Sequence, residues 1–289
     1  MRKTIVVGVE DLPLSDDALV WAARAAAQRG ATLHLIHATG FPSLAIDLLY
    51  DDSIMQGAQL LLEKATVRVG EIAPDVSVTT AIDRRLPAEA LCGLSDGAAM
   101  LVIGTHRLSA VERVFAGSLS YQIAAGAPCP VVVIPHLPPL EASGVVVGVD
   151  GSADSLDAVE LAAAEADLAG QPLHVLHAWQ EPGIYASTDI YPVGIAESVR
   201  EAERLVLAES AAGLAEKYPD LVVHEQMVHE QPATALLDLA VNAQLLVVGS
   251  RGRHGIARVL LGSVSHTVVL HAPCPVLVAR YRKHSEAHD

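Results

Sequence analysis

The fold is decided by residues 246–255, Leu246-Val247-Val248-Gly249-Ser250-Arg251-Gly252-Arg253-His254-Gly255. The apolar, β-branched start is typical of a central strand in a parallel sheet, and the glycines that follow let a ligand approach the backbone closely. A helix is predicted shortly afterwards, because Gly262-Ser263-Val264-Ser265 leads into an apolar-periodic segment with Ser263 as its N-cap. A helix start offers unpaired N–H groups and a positive dipole end, so we expect this strand, loop and helix to hold phosphates. Glycine-rich turns also occur in α/β proteins without a ligand, so that alternative stays open.

The chain contains an internal repeat. Residues 5–38 align without a gap with residues 145–178, and residues 101–135 align with residues 246–280. A repeat of this length indicates a duplicated domain rather than a solenoid unit. The predicted organisation is a first domain at 1–136, a linker at 137–143, a second domain at 144–281 and a polar tail at 282–289.

Strands alternate with helices in each copy. This pattern predicts an α/β fold of two tandem doubly wound, Rossmann-like domains, each a five-stranded mainly parallel sheet with helices on both faces. Among the helices of the first copy we expect Ser15–Arg29 with Ser15 as N-cap, Asp47–Val69 ended by Gly70, and Ser118–Ala125. Ligands of such sheets bind outside the carboxyl ends of the strands.

Composition limits the class of protein. The 289 residues are 51% hydrophobic and carry a net charge of −15, which favours a large buried core and opposes binding to nucleic acid or an anionic membrane. Three cysteines without paired spacing argue against a disulfide scaffold and a zinc site. The N-terminus runs directly into a strand, with no signal peptide and no apolar run of membrane-spanning length, so the expected compartment is the cytoplasm.

Four stretches of the second copy resemble the universal stress protein family: VVVGVDGS (145–152), LHVLHAW (173–179), VVGSRGRHG (247–255) and LLGSVSHTVVLHAPCPVLVA (260–279). The first copy resembles the family too. The resemblance implies ATP at the carboxyl edge of each sheet, and Asp150 and Ser263 are the candidate neighbours of a Mg²⁺ ion carried with it. In the second domain the residues implied in ATP binding are Gly148, Val149, Asp150, Ala178, Gly249, Ser250, Arg251, Gly252, Arg253, His254, Gly255, Gly262, Ser263, Val264 and Ser265.

The first copy departs from the family's glycine pattern. Arg107 stands where the second glycine is expected, and Glu10 replaces the aspartate. The guanidinium of Arg107 can pair with a phosphate, or its side chain can fill the space that the loop needs. The corresponding ATP-binding residues are Gly8, Val9, Glu10, Ala38, Gly104, Thr105, His106, Arg107, Gly117, Ser118, Leu119 and Ser120.

Two other motifs give weaker signals. Gly93-Leu94-Ser95-Asp96-Gly97 matches a nucleophile elbow but follows a predicted helix instead of a strand, so it is interpreted as a helix terminator. His224 and His229 have one residue too many between them for a zinc-protease helix. His37 and His177 end their strands near the expected cleft, where a minor ligand role stays open.

The resemblance implies a cytoplasmic ATP-binding regulatory or sensor protein of the stress response, and not an enzyme. No P-loop lysine motif occurs in the sequence. The alternatives are a nucleotide-independent protein-interaction module and a slow nucleotide hydrolase. The last strands, Pro130–Ile134 and Pro275–Ala279, are expected at sheet edges, where the two halves can pair with each other within one chain or with a second chain. The resemblance favours association through this strand and implies a homodimer.

Overall fold

The computed structural model describes residues 4–40, 48–105, 113–180, 195–252 and 261–280. The chain forms two compact units. One comprises Met1–Leu140 with Val269–Leu277, and the other comprises Glu141–Val268 with Val278–Asp289. None of the helices in the described ranges is long and apolar enough to cross a membrane.

The first copy alternates strands and helices. Its strands pair in parallel in the order β3-β2-β1-β4-β5, and α1 packs on β1 and β4 while α3 packs on β1 and β2. The elements are β1 (Thr4–Gly8), α1 (Leu12–Arg29), β2 (Thr32–Ala38), α2 (Leu48–Ile72), β3 (Val78–Asp83), α3 (Pro87–Leu94), β4 (Met100–Gly104), α4 (Arg113–Gly126) and β5 (Val131–Ile134).

The second copy repeats this plan and adds one short helix. Its strands β9, β6, β7 and β8 pair in parallel in that order. The elements are β6 (Val145–Gly148), α5 (Ala153–Ala169), β7 (Leu173–Trp179), α6 (Ile195–Ala211), α7 (Leu214–Lys217), β8 (Val223–His229), α8 (Pro232–Ala240), β9 (Leu245–Gly249), α9 (Ser263–His271) and β10 (Val276–Ala279).

The strand order places a ligand crevice in each copy. The chain runs from the first strand of the copy to its second and third on one side, and then places its fourth strand on the other side of the first. The crevice of a doubly wound sheet lies at this reversal, outside the carboxyl ends of the strands. The crevices are therefore expected beside Gly8 and Gly104 and beside Gly148 and Gly249.

The core consists of the strands and the small faces of the helices. Strands β5, β9 and β10 are buried along their whole length, and Val and Leu dominate them. Helix α5 buries Ala158, Ala162 and other small residues against the sheet. This arrangement confirms the predicted α/β class with helices packed on a parallel sheet.

Helix α1 begins one turn earlier than predicted, so the assignment of Ser15 as N-cap is wrong. The N-cap position is Asp11, and a proline lies in the first turn, where its missing N–H costs nothing. Ser15 is buried, and its Oγ accepts a 3.1 Å hydrogen bond from the backbone N–H of Glu10. Helix α2 also extends beyond its predicted end, because Gly70 is an interior residue of Leu48–Ile72 and not a terminator.

Helix α4 differs most from its prediction. It begins at Arg113 instead of Ser118, so Gly117 and Ser118 lie inside it rather than at its start. The four residues before Gly117 contain no helix breaker, and a single interior glycine costs only about 1 kcal/mol relative to alanine. The prediction that this helix begins at Ser118 is therefore wrong.

Candidate functional site

A cleft of about 390 Å³ opens at the carboxyl ends of β6, β7 and β9, and we call it the second cleft. Its volume falls within the roughly 300–1,000 Å³ of typical small-molecule sites. It is lined by Gly148, Val149, Asp150, Ser155, Leu176, His177, Ala178, Trp179, Gln180, Glu203, Pro232, Leu236, Val248, Gly249, Arg251, Gly252, Gly262, Ser263, Val264 and Ser265.

Gly249 ends β9 where helix α5 comes closest. A Cβ added at this position would lie 2.8 Å from the carbonyl carbon and oxygen of Asp154 and 3.1 Å from the amide nitrogen of Ser155. These are backbone atoms of the first turn of α5, which cannot move without shifting the helix. Glycine is therefore required here by close packing of strand and helix.

A buried carboxylate holds the start of the glycine-rich loop. Asp154 Oδ2 accepts a 2.6 Å hydrogen bond from the hydroxyl of Ser250 and a 3.2 Å bond from Nε of Arg251. Ser250 is 1% exposed and points away from the cleft, whereas Arg251 lines it. Because only Nε is engaged in these bonds, the terminal nitrogens of the guanidinium can serve a ligand.

Asp150 lies between the start of α5 and the loop. Its Oδ1 accepts hydrogen bonds from the backbone N–H (3.0 Å) and the hydroxyl (2.6 Å) of Ser152, and Ser152 in turn caps α5 through the N–H of Ser155. A Cβ added at Gly252 would lie 2.5 Å from Asp150 Oδ2. Gly252 therefore lies directly over this carboxylate, and any larger residue at this position would have to displace the Asp150 side chain.

Helix α9 starts beside the described part of the glycine-rich loop. It begins at Ser263, and its first backbone bond runs from the N–H of His266 to the carbonyl of Gly262. Gly262 therefore occupies the N-cap position, and the prediction of Ser263 as N-cap is wrong by one residue. The hydroxyl of Ser265 donates a 2.6 Å bond to the carbonyl of Gly249, and the N–H of Gly262 donates to the carbonyl of Ser250. These bonds fasten the helix start to the end of β9.

The far end of the cleft is built by β7 and α6. The ring of His177 is within hydrogen-bond distance of the carbonyl of Val149 and of the carboxylate of Glu203. Trp179 is 8% exposed, and its ring lies 4.6 Å from that of His229 between centroids. This end combines a large aromatic surface with a hydrogen-bond acceptor, whereas the loop end supplies backbone N–H groups and a cation.

Most of the predicted residues of the second copy meet in this cleft. Ser250 does not line it, because its side chain is buried against Asp154. Arg253, His254 and Gly255 lie outside the described residues. The lining residues that sequence reasoning left unassigned are Ser155, Leu176, Trp179, Gln180, Glu203, Pro232, Leu236 and Val248. His177, for which the sequence left a minor ligand role open, also lines the cleft.

The first copy carries a corresponding cleft of about 330 Å³, which we call the first cleft. It brings together the predicted Gly8, Val9, Glu10, Ala38, Gly104, Leu119 and Ser120. Thr105 donates its backbone N–H to the carbonyl of Ile134 and is not among the lining residues. His106 and Arg107 lie outside the described residues, as does the side chain of Ser118. The lining residues that were not predicted to bind are Ser15, Ile36, Thr39, Pro87, Leu91, Ile103 and Ile123, and His37, whose minor ligand role was left open, also lines the cleft.

The two clefts differ at aligned positions, which we call counterparts. Asp154 has Leu14 as its counterpart, and Ser250 has Thr105, so the buried carboxylate that holds the loop is particular to the second copy. Trp179 has Thr39 as its counterpart. At these two aligned positions the first copy therefore has neither the aromatic ring nor the carboxylate of the second.

The two weaker motifs do not form reactive sites. Ser95 is fully buried, and its hydroxyl donates to the carbonyl of Cys92, so it is not an exposed nucleophile. His224 lies on β8 and stacks on His174, with ring centroids 4.9 Å apart. Desolvation, with the nearby His224 ring, lowers the pKa of His174. Within the described ranges no group of three or more His, Cys, Asp or Glu side chains could hold a metal ion.

Comparisons with known proteins agree on one family. A sequence model of the universal stress protein family matches residues 1–135 and again residues 143–280. A universal stress protein of Mycolicibacterium smegmatis is 36% identical over 296 residues, covering 96% of this chain and 97% of the relative. Universal stress protein Rv2623 of Mycobacterium tuberculosis is 34% identical over 300 residues, covering 96% of each chain. The crystal structure of a universal stress protein from Archaeoglobus fulgidus covers 97% of both chains with a TM-score of 0.70 and 19% identity, a likeness of fold.

Proposed function

The chain belongs to the universal stress protein family, and on this premise we propose that it is an ATP-binding regulatory protein of the stress response, with a nucleotide in each cleft. The observation that carries the proposal is the second cleft. There the Gly249–Gly252 turn, the guanidinium of Arg251 and the start of α9 converge on one cavity. Backbone N–H groups at a helix start, together with a cation, are the chemistry that recognises phosphate.

Each part of the second cleft has a role in this proposal. Arg251, oriented by Asp154, contacts a phosphate, and the backbone at Gly252 and Ser263 approaches the phosphates closely. The carboxylate of Asp150 accepts a hydrogen bond from a ribose hydroxyl, or neighbours a Mg²⁺ ion together with Ser263. The base lies at the far end, beside the backbone of Ala178 and the ring of Trp179.

We expect occupancy, not turnover, to be the function. Rapid phosphoryl transfer requires a positioned metal and a group that orients the attacking nucleophile. The sequence has no P-loop lysine motif to hold the transferred phosphate. A bound nucleotide acts on such a protein by favouring the conformation that binds it better. We further propose that the protein is cytoplasmic and forms homodimers through edge strands. Sedimentation velocity measures its oligomeric state.

The proposal is tested by counting the nucleotides that the protein retains. The protein is saturated with ATP, freed of unbound nucleotide, denatured, and the released nucleotide quantified by mass spectrometry for wild type, Gly252→Glu and Gly104→Glu. We expect two ATP per chain, with one lost in each variant, and no ADP accumulating above background. One ATP per chain, lost only in Gly252→Glu, would show that the first copy folds without binding nucleotide. Absence of nucleotide in every sample would overturn the proposal, and the nucleotide-independent protein-interaction module would be the remaining alternative.

A further inference from the structure

His177 is placed between two hydrogen-bond acceptors. Its Nδ1 lies 2.8 Å from the carbonyl oxygen of Val149, and its Nε2 lies 2.7 Å from Oε2 of Glu203. A carbonyl oxygen and an ionised carboxylate have no proton to donate, so both ring nitrogens must act as donors. A neutral imidazole has only one N–H, and only the imidazolium has two.

The pair therefore holds one proton more than a neutral imidazole beside an ionised carboxylate. Imidazole is the stronger base of the two groups, which places this proton on the ring. The His177 side chain is 4% exposed and that of Glu203, which lines the cleft, is 21% exposed, so the ring is buried and a charge on it requires a paired, hydrogen-bonded arrangement. We infer that His177 is an imidazolium in the folded protein and acts as a positioning residue that holds Glu203 as a ligand acceptor in the second cleft.

The pair connects three elements around the cleft. His177 lies on β7, Val149 directly follows β6, and Glu203 belongs to α6. The two ring bonds thus tie the helix to the strand ends at the end of the cleft that we assign to the nucleoside. Glu203 lines the cavity, and a carboxylate has about four lone-pair sites, so it can accept a donor from the nucleoside while it accepts from His177.

Other charged groups near the pair are already engaged. Asp150 and Arg251 line the same cleft, and they bond to Ser152 and Asp154 respectively. On α6, the exposed Arg200 and Arg204 face Glu197 and Glu201 of their own helix. On β8, Met227 is in register with His177, and His229 packs on Trp179. Glu203 is the carboxylate that the structure places within hydrogen-bond distance of the His177 ring.

The first copy provides an internal control. The counterpart of His177 is His37, whose Nδ1 lies 2.7 Å from the carbonyl oxygen of Val9. Among the described residues no carboxylate pairs with His37, and its side chain is half-buried instead of buried. One N–H satisfies this contact, so a neutral ring with the proton on Nδ1 is expected. In the part of the chain that the structure describes, the two-acceptor arrangement is thus found at His177 and not at His37.

The first test reads the protonation state directly and needs no nucleotide. The 13 histidines are labelled with ¹⁵N, and the signals of His177 and His37 are assigned by comparison with His177→Asn and His37→Asn. At pH 7.5 we expect imidazolium shifts for both nitrogens of His177 and a neutral, Nδ1-protonated ring for His37. We also expect Glu203→Gln, which conserves shape, to return His177 to the neutral form. A neutral His177 in the wild type at pH 7.5 would overturn the inference.

The second test rests on the proposed function and measures the positioning role. ATP affinity of the second cleft is measured by isothermal titration at pH 7 in a Gly104→Glu background. Three proteins are compared: the parent, Glu203→Gln and Glu201→Gln. Glu201 lies on the same helix and is 72% exposed, so it serves as the matched control. We expect Glu203→Gln to weaken binding about tenfold at pH 7, as for a lost hydrogen bond to a charged group. The Glu201→Gln control should bind ATP as the parent does.

The outcomes separate the two proposals. A protein that binds no ATP but shows an imidazolium at His177 contradicts the proposed function and leaves the protonation inference intact. A protein that binds ATP while Glu203→Gln and Glu201→Gln behave alike overturns the positioning role. Circular dichroism melting of each variant shows that any loss of binding belongs to a folded protein.

Discussion

The hydroxyl of Ser250 donates a 2.6 Å hydrogen bond to Oδ2 of Asp154, and this bond links the glycine-rich loop to the first turn of α5. Nε of Arg251 donates to the same oxygen from 3.2 Å. Asp154 is 8% exposed, so a single buried carboxylate holds two consecutive loop residues. These two residues are therefore positioned before any ligand arrives, which reduces the ordering cost of binding.

Removal of that carboxylate should destabilise the second copy. We expect Asp154→Ala to lower the free energy of unfolding by about 1–3 kcal/mol, because Ser250 is left buried without its acceptor and Arg251 loses a charged partner. Asp167→Ala on the exposed face of the same helix is the control and should change stability by no more than about 0.5 kcal/mol. Urea unfolding compares the two. Equal effects of the variants would show that Asp154 does not hold the loop.

Gly249 and Gly262 should respond differently to the same methyl group. Gly249→Ala places its Cβ 2.8 Å from backbone atoms of Asp154, and we expect an overpacking cost of about 1–3 kcal/mol. Gly262→Ala meets its nearest atom, the Cα of Arg251, at 3.5 Å, which is ordinary contact. Thermal unfolding should therefore show the larger loss for Gly249→Ala, because Gly262→Ala loses only the preference for glycine over alanine at an N-cap. A wild-type melting temperature for Gly249→Ala would contradict the close packing of β9 on α5.

Several features could be predicted from the sequence because they rest on local patterns. The repeat, the alternation of strands and helices, and the family resemblance are confirmed, since apolar β-branched runs and glycine turns are visible without three-dimensional contacts. The residues of the second cleft that belong to the motif, such as Gly249 and Gly262, also lie together as expected. The domain boundaries and the assignment of these residues to ATP stay predictions.

The features that could not be predicted depend on contacts distant in sequence. Asp154 appears in the sequence as an ordinary acidic residue in the first turn of a helix, and only the fold brings it to Ser250, 96 positions away. Glu203 lies on an amphipathic helix whose contact with His177 has no sequence signature. Helix α4 starts early because the residues before Gly117 favour helix and a single glycine does not stop it. A prediction that treats each glycine as a helix boundary misses this start.

The pH dependence of stability should include a contribution from Asp83. A hydrogen bond from the Arg85 side chain lowers the pKa of this carboxyl group below its usual value. Because the folded-state pKa is depressed, the stabilisation is present above pH about 4 and is lost as the pH falls through the lower folded value. Asp83→Asn should therefore reduce stability at pH 7 and flatten its fall in acid, as measured by urea unfolding across pH. The exposed Asp75→Asn is the control, and a wild-type acid profile for Asp83→Asn would contradict the assignment.

Trp179 should report and strengthen nucleotide binding in the second cleft. The chain has two tryptophans, Trp21 and Trp179, so a Trp21→Phe protein carries a single fluorophore at the cleft. We expect ATP to change its emission. In the protein with both tryptophans, Trp179→Thr, which installs the residue of the first copy, should weaken binding by about tenfold, consistent with the roughly 1–3 kcal/mol of base–aromatic stacking. Thr39→Ala should leave the second cleft unaffected. An unchanged affinity for Trp179→Thr would place the base elsewhere.

The central claim, that the second cleft binds ATP, is tested most directly by isothermal titration of ATP into wild type, Gly252→Glu and Gly57→Glu. A side chain at Gly252 starts 2.5 Å from Asp150 Oδ2 and adds a carboxylate beside the phosphates, whereas Gly57 lies on exposed α2 with no atom within 4 Å. We predict that Gly252→Glu loses one binding event per chain and that Gly57→Glu keeps the wild-type isotherm. Identical isotherms for all three proteins, or no heat from any of them, would contradict the assignment of the second cleft as an ATP site.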